Sequence, residues 1–225
     1  MGLLVLAVVG IASRADAGII TVPPGLAPGS QYRLVFVTDN DYTATSSSIT
    51  DYNNDVNSEA NSVAALAALG TTWLDIGSTA TVNAISNIGI DAGVPIYDLE
   101  GNLIASDAGT EAGGMFSGTL YSPPDFTEYG ATSTLGWVWT GATVQGGVSG
   151  HGLGTGSVEL GRNSFTDYTW IAYTIGGGTT PVSLYGISAV LTVPGRTTPE
   201  PATTGMVIAA GALMFFAGRR NRRPL

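Results

Sequence analysis

Gln31-Tyr32-Arg33-Leu34-Val35-Phe36-Val37-Thr38 is followed, after a short polar stretch, by Ser46–Gly70, which reads SSSITDYNNDVNSEANSVAALAALG. The first run is dense in β-branched and aromatic residues and predicts a buried strand. In the second, apolar Ile49, Tyr52, Val56, Ala60, Val63 and Ala67 recur every three or four residues, which is one face of a helix. Ser46-Ser47-Ser48 offers N-cap oxygens, and Gly70 suits the left-handed position just past a helix end. The spacing predicts one main helix over Thr50–Leu69.

Outward from this pair, the chain is short strands and turns. Val94–Leu99 and Leu103-Ile104 flank Gly101-Asn102 and predict a hairpin. Trp137–Thr140, Tyr168–Ile175 and Tyr185–Val193 predict further strands, the last of which can pair with the first. Gly146–Gly161 holds seven glycines in 16 residues and predicts a long surface loop. No repeat period stands out. The fold class expected is α+β: one main helix, short antiparallel strands and long Gly-rich loops.

The chain has 225 residues, enough for one domain with attachments. It is 44% hydrophobic and 11% charged, with 32 Gly, no Cys, no Lys and one His, His151. Disulfides, thiolate metal sites, a nucleophilic Cys, a Schiff-base Lys and a His-rich zinc site are therefore excluded. Gly18–Thr198 carries 15 carboxylates against three arginines, Arg33, Arg162 and Arg196. So acidic a body repels phosphate and argues against nucleic acid as a partner.

The two ends read as addresses. Leu3–Ile11 is a nine-residue apolar run with the length of a secretory h-region, too short to span a bilayer. No basic residue precedes it, yet Ala15-Asp16-Ala17 follows as a small-residue cleavage site, so residues 1–17 are expected to be a signal peptide cut before Gly18. The body is expected over 18–197. Beyond it, Pro199-Glu200-Pro201 breaks any helix, Ala202–Gly218 is 17 residues without a charge, and Arg219, Arg220, Arg222 and Arg223 close the chain. At ~1.5 Å per residue the span is roughly 26 Å, adequate for a transmembrane helix over 202–218 with snorkelling arginines. The arginines form a cytoplasmic stop by the positive-inside rule.

This triplet, short span and arginine cluster resemble the PEP-CTERM sorting signal. The resemblance implies export by the Sec machinery and a membrane-anchored precursor held in lipid by its C-terminal helix. It further implies recognition of Pro199, Glu200 and Pro201 by an exosortase and delivery to the cell envelope or extracellular polysaccharide matrix. Asn221 interrupts the arginine run and Pro224-Leu225 trail it. Within the body, Ala68–Trp73, Ile76–Val82, Val94–Gly101, Val138–Gly141 and Leu184–Ile187 resemble exported bacterial domains of C-type-lectin-like and endostatin-like fold. The disulfides of animal C-type lectins cannot form here, and neither Glu-Pro-Asn nor Trp-Asn-Asp is present, so calcium-dependent sugar binding does not transfer.

Residues able to do chemistry are few. His151 sits in Ser149-Gly150-His151-Gly152, flexible material without a nucleophile elbow. Asp98 with Glu100, and Asp125 with Glu128, are the carboxylate pairs a glycoside hydrolase would need. Asp51-x-Asn53-x-Asp55 opens like an EF-hand loop, but Val56 stands where Gly is required and Ser62 where Glu is required. Asp39 and Asp41 are the compact oxygen cluster best placed for a structural calcium ion; no other cofactor is expected. Trp137 and Trp139 lie two apart and share a strand face, and with Tyr121 and Tyr129 they are candidates for sugar stacking. The expectation is a non-enzymatic exported protein; a calcium-independent carbohydrate-binding module acting on exopolysaccharide is the alternative, and a glycoside hydrolase the third reading.

Overall fold

β1 (Gln31–Val37) is the strand around which the chain is assembled. The computed structural model describes residues 18–195. Residues 18–193 belong to one compact unit. The expectations for residues 1–17, for Pro199, Glu200 and Pro201, for the span 202–218 and for Arg219, Arg220, Arg222 and Arg223 lie outside the described residues. Among the described residues no helix is long and apolar enough to cross a membrane.

Six of the seven β1 residues are buried, because both faces of the strand are covered. Alternation sends Val35 and Val37 into one apolar cluster with Ile76, Phe116, Trp170 and Ile187. Leu34 and Phe36 point the other way, into a cluster with Tyr52, Val56, Trp73 and Trp139. Phe36 meets Trp73 edge-on at 5.2 Å between ring centroids, a favoured aromatic geometry.

The sheet forms from both ends of the body, as the sequence led us to expect. β8 (Tyr185–Ser188) pairs antiparallel with Val35–Val37, and β9 (Leu191–Thr192) with Gln31 and Tyr32. The single strand expected over Tyr185–Val193 is thus broken. At the break Ser188 takes over the ladder: its hydroxyl accepts from the Leu34 amide at 2.9 Å, and its carbonyl accepts from Arg33 Nε at 2.7 Å. Outside β8 lies β2 (Trp73–Asp75); on the other edge of β1 lie β3 (Ile96–Tyr97) and β4 (Leu103–Ala105), the expected hairpin. The order is β2-β8-β1-β3-β4. β1 and β3 run parallel, which departs from the all-antiparallel expectation. A parallel neighbour requires a crossover, and the helices supply it.

The main helix is shorter than its apolar period. α1 covers Ile49–Ser62 and α2 Ala64–Ala67, separated by Val63 at φ −101°, ψ 119°. The Ser62 hydroxyl donates to the Glu59 carbonyl at 2.7 Å, diverting an acceptor from the helical ladder. Extended Val63 then buries its branched side chain in the second cluster. The Ser48 side chain makes no cap; Ser46 instead accepts from the Ser48 amide and donates to Asp51. Gly70 takes the left-handed conformation at φ 59°, as its place after the helix predicts. α3 (Ala84–Ile88) is tied to α1 through Asn87 and Asn53, whose amides bond each other and the β2 backbone at Asp75.

A second, three-stranded antiparallel sheet holds β5 (Trp137–Trp139), β6 (Ser157–Arg162) and β7 (Thr174–Gly177). Two expectations are corrected here. Gly146–Gly161 is not one surface loop: its second half is the central strand β6, and Leu153 in its first half is fully buried. Tyr168–Ile175 is not one strand: residues 168–170 form a 3-10 turn, which Asp167 caps by accepting from the Thr169 amide at 3.0 Å. Strand begins only at Thr174. The architecture is α+β.

Candidate ligand-binding face

The end of β5 pairs Trp137 with Arg162 at the end of β6. Residues opposite each other in a ladder share a face, so both side chains emerge together. The chain turns just after Arg162, with the Phe165 amide donating to the Arg162 carbonyl, and this brings Phe165 back over the guanidinium. The Tyr173 amide bonds the Leu160 carbonyl and sets its ring beside Trp137, centroids 5.4 Å apart and planes 53° apart. The guanidinium carbon of Arg162 then lies 5.2 Å from the Trp137 ring, 4.7 Å from Phe165 and 5.4 Å from Tyr173. Three π-faces converge on one cation, each attraction worth about 0.5–2 kcal/mol according to its exposure. Phe165 is 37% exposed and Tyr173 45%.

Two arginines fall among the described residues, and their settings are opposite. Arg33 is 1% exposed and bonds the Gly89 and Ser188 carbonyls and Asp91. Burial pulls its pKa down and Asp91 raises it in part. Arg162 is half-buried, has no carboxylate partner among the described residues, and keeps its Nε sealed without a hydrogen bond. Among the described residues Arg162 is thus the guanidinium without a carboxylate partner, wedged among rings on an acidic body.

Of the expected stacking residues, Trp137 belongs to this face. Trp139 does not: it is 1% exposed, and its indole nitrogen donates to the Tyr42 and Thr180 carbonyls, so it is core. The β5 face that both tryptophans share runs from interior to rim, and only the rim residue reaches solvent. Tyr121 is exposed but stands elsewhere, with its hydroxyl over the turn at Gly113. Tyr129 is half-buried against the second apolar cluster. Sequence reading missed Arg162, Phe165 and Tyr173. A usable signal existed in the scarcity of cations: Arg162 opens the stretch holding Phe165, Tyr168, Trp170 and Tyr173.

The carboxylates do other work. Asp98 is buried in the hairpin loop, where it accepts from the Glu100 and Asn102 amides and from the Asn102 side chain, whose nitrogen also reaches Glu100 at 3.5 Å; burial first, and then the charge of Glu100, raises the Asp98 pKa. Glu128 pairs with Glu59 of α1 and not with Asp125. Glu128 is fully buried, its Oε2 accepting from the Asp39 amide at 2.9 Å and its Oε1 unpartnered. Burial, then the charge of Glu59, pushes its pKa up to about 7. Glu59 Oε1 accepts from Asn40 at 2.8 Å and from the Tyr42 hydroxyl. Asp75 is completely buried below Leu153; the nearby Ile76 amide is engaged by the Tyr185 carbonyl, and burial holds the Asp75 pKa well above the carboxylate range.

Asp41 is exposed, its pKa raised by partial burial and by Asp39. Among the described residues no three His, Asp or Glu side chains gather to hold a metal ion, so the calcium expected at Asp39 and Asp41 has no such ligand set there. His151 Nδ1 meets the Ser157 carbonyl at 3.3 Å. A shallow groove of about 600 Å³ runs past Leu26, Ser30, Gln31, Val94, Pro95 and Thr192, without a titratable side chain in its lining. No family model matches the chain, and no curated protein matches it.

Proposed function

We propose that this is a non-enzymatic exported protein, sorted to the cell envelope or extracellular matrix by its C-terminal signal, that holds polysaccharide on the Trp137–Arg162–Phe165–Tyr173 face. The observation that carries the binding half is the exposed, three-ring cluster around an uncompensated guanidinium. Sugar rings present flat C–H faces that stack on aromatic rings, and Phe165 and Tyr173 are exposed on this face. The C-type-lectin-like resemblance favours the same reading. The carboxylate pair of Glu59 and Glu128 is closed to a polymer chain, since Glu128 is fully buried. The sorting half rests on the order of signal peptide, body, Pro-Glu-Pro, apolar span and arginines.

Two measurements check it. In a polysaccharide pull-down, Trp137→Ala and Phe165→Ala should each weaken retention about tenfold, the worth of roughly 1.4 kcal/mol, in protein that keeps a cooperative melting transition. Full retention by both variants would remove the face from the function. Replacing Pro199, Glu200 and Pro201 together by Ala should leave the protein in the membrane fraction; wild-type delivery to the matrix would refute sorting through that triplet.

A further inference from the structure

We infer that the face selects a carboxylated polysaccharide, one whose sugar units are hexuronates, and that Arg162 is the residue that reads the carboxylate. This rests on the glycan-binding reading of the same face and adds the substrate class. The described residues hold two guanidinium groups, and Arg33 is buried against Asp91 and two carbonyls. Of these two, Arg162 is the one that is only half-buried, and rings pack around it. Aromatic packing around it orients the planar fork and removes side-chain freedom before any ligand arrives. A pre-organised fork loses less entropy on binding a carboxylate, which it meets through two parallel hydrogen bonds.

The rings and the cation together describe the ligand. Stacking needs an apolar C–H face about one ring wide; the guanidinium needs an anion at the edge of that face. A hexuronate carries both within one unit. The acidic body opposes a polyanion at long range, but at ~0.15 M salt that repulsion decays over roughly 8 Å, whereas the fork contact acts near 3 Å. Discrimination then comes from the fork contact, set against that background repulsion.

The test uses the full chain at 0.15 M salt, titrated with a polyuronate and with the same polymer after its carboxyl groups are reduced to alcohols. Wild type should bind the polyuronate at least tenfold more tightly. Arg162→Gln should bring the ratio of polyuronate to reduced-polymer affinity down to about one, whatever the variant's common affinity for the two. Arg162→Lys, which keeps the charge but not the fork, should recover only part of the preference. Melting curves and near-ultraviolet circular dichroism of the aromatic rings keep a collapsed cluster from passing as a lost contact. Equal affinity for both polymers, abolished by Trp137→Ala, would overturn carboxylate selection and leave glycan binding standing. Binding of neither polymer would overturn both. Binding to phosphatidylglycerol vesicles through Arg162, with neither polymer bound, would assign the cation to a lipid surface and overturn the inference as well.

Discussion

Gly161→Ala should lower stability by about 3 kcal/mol or more. Gly161 lies in β6 opposite Val138, and a Cβ built on it would sit 2.0 Å from the Trp170 carbonyl oxygen and 2.7 Å from its carbon. Those atoms are backbone and cannot swing aside as a side-chain end can. The Trp170 carbonyl is also held by the Tyr185 hydroxyl at 3.0 Å, and the adjacent Ile171 carbonyl by the Thr140 hydroxyl at 2.6 Å. Moving the turn away from β6 would therefore break two buried hydrogen bonds and loosen the Trp170 ring from Phe116 and Tyr185. At roughly 2–4 °C per kcal/mol, the melting temperature should fall by about 6–12 °C. Gly177→Ala in β7 is the control, because a Cβ there meets nothing within 4 Å. An unchanged melting temperature for Gly161→Ala would mean that the turn does not press on β6 as described.

The folded protein should be most stable in mild acid and lose stability as pH rises through neutrality. Glu128 has a folded pKa of about 7 against a reference of 4.5, raised by burial and by Glu59. Because the folded state binds this proton more tightly than the unfolded chain, its contribution is complete below about pH 4.5 and is lost as pH climbs to 7 and beyond. The shift corresponds to a contribution on the order of 3 kcal/mol. Asp75, raised by burial, and Asp55, raised by burial and its acidic neighbours, act in the same direction. Glu128→Gln keeps an acceptor for the Asp39 amide and sets an amide donor against Glu59. It should stabilise the protein by about 2 kcal/mol at pH 8, change little at pH 5, and flatten the decline between them. Melting temperatures at pH 5, 6, 7 and 8 for both proteins check this. A parallel decline in the two would show that Glu128 is not the group that titrates.

Much of the framework was legible in residue order. The run of β-branched and aromatic residues in Gln31–Val37 placed a buried strand, the three-and-four spacing of Ile49, Tyr52 and Val56 placed a helix, and Gly101-Asn102 placed a hairpin. Such patterns are local, and local geometry forces them. The breaks were less visible. Val63 leaves the helix because Ser62 diverts the Glu59 carbonyl, and Tyr168–Trp170 turns because Asp167 caps it, both small polar competitions inside apolar runs.

The composition and the two chain ends set the acidic, thiol-free chemistry and the expectation of export without any reference to folding. Only the tertiary structure decided which aromatic rings face solvent. Trp137 and Trp139 are equivalent by spacing, yet one reaches the rim and the other donates its indole proton into the core. It alone decided, too, that β6 would emerge from glycine-rich sequence, that Arg162 would meet Trp137, and that Glu59 would find Glu128. Pairing between distant segments depends on which surfaces remain after the core closes, and no stretch of chain carries that information by itself.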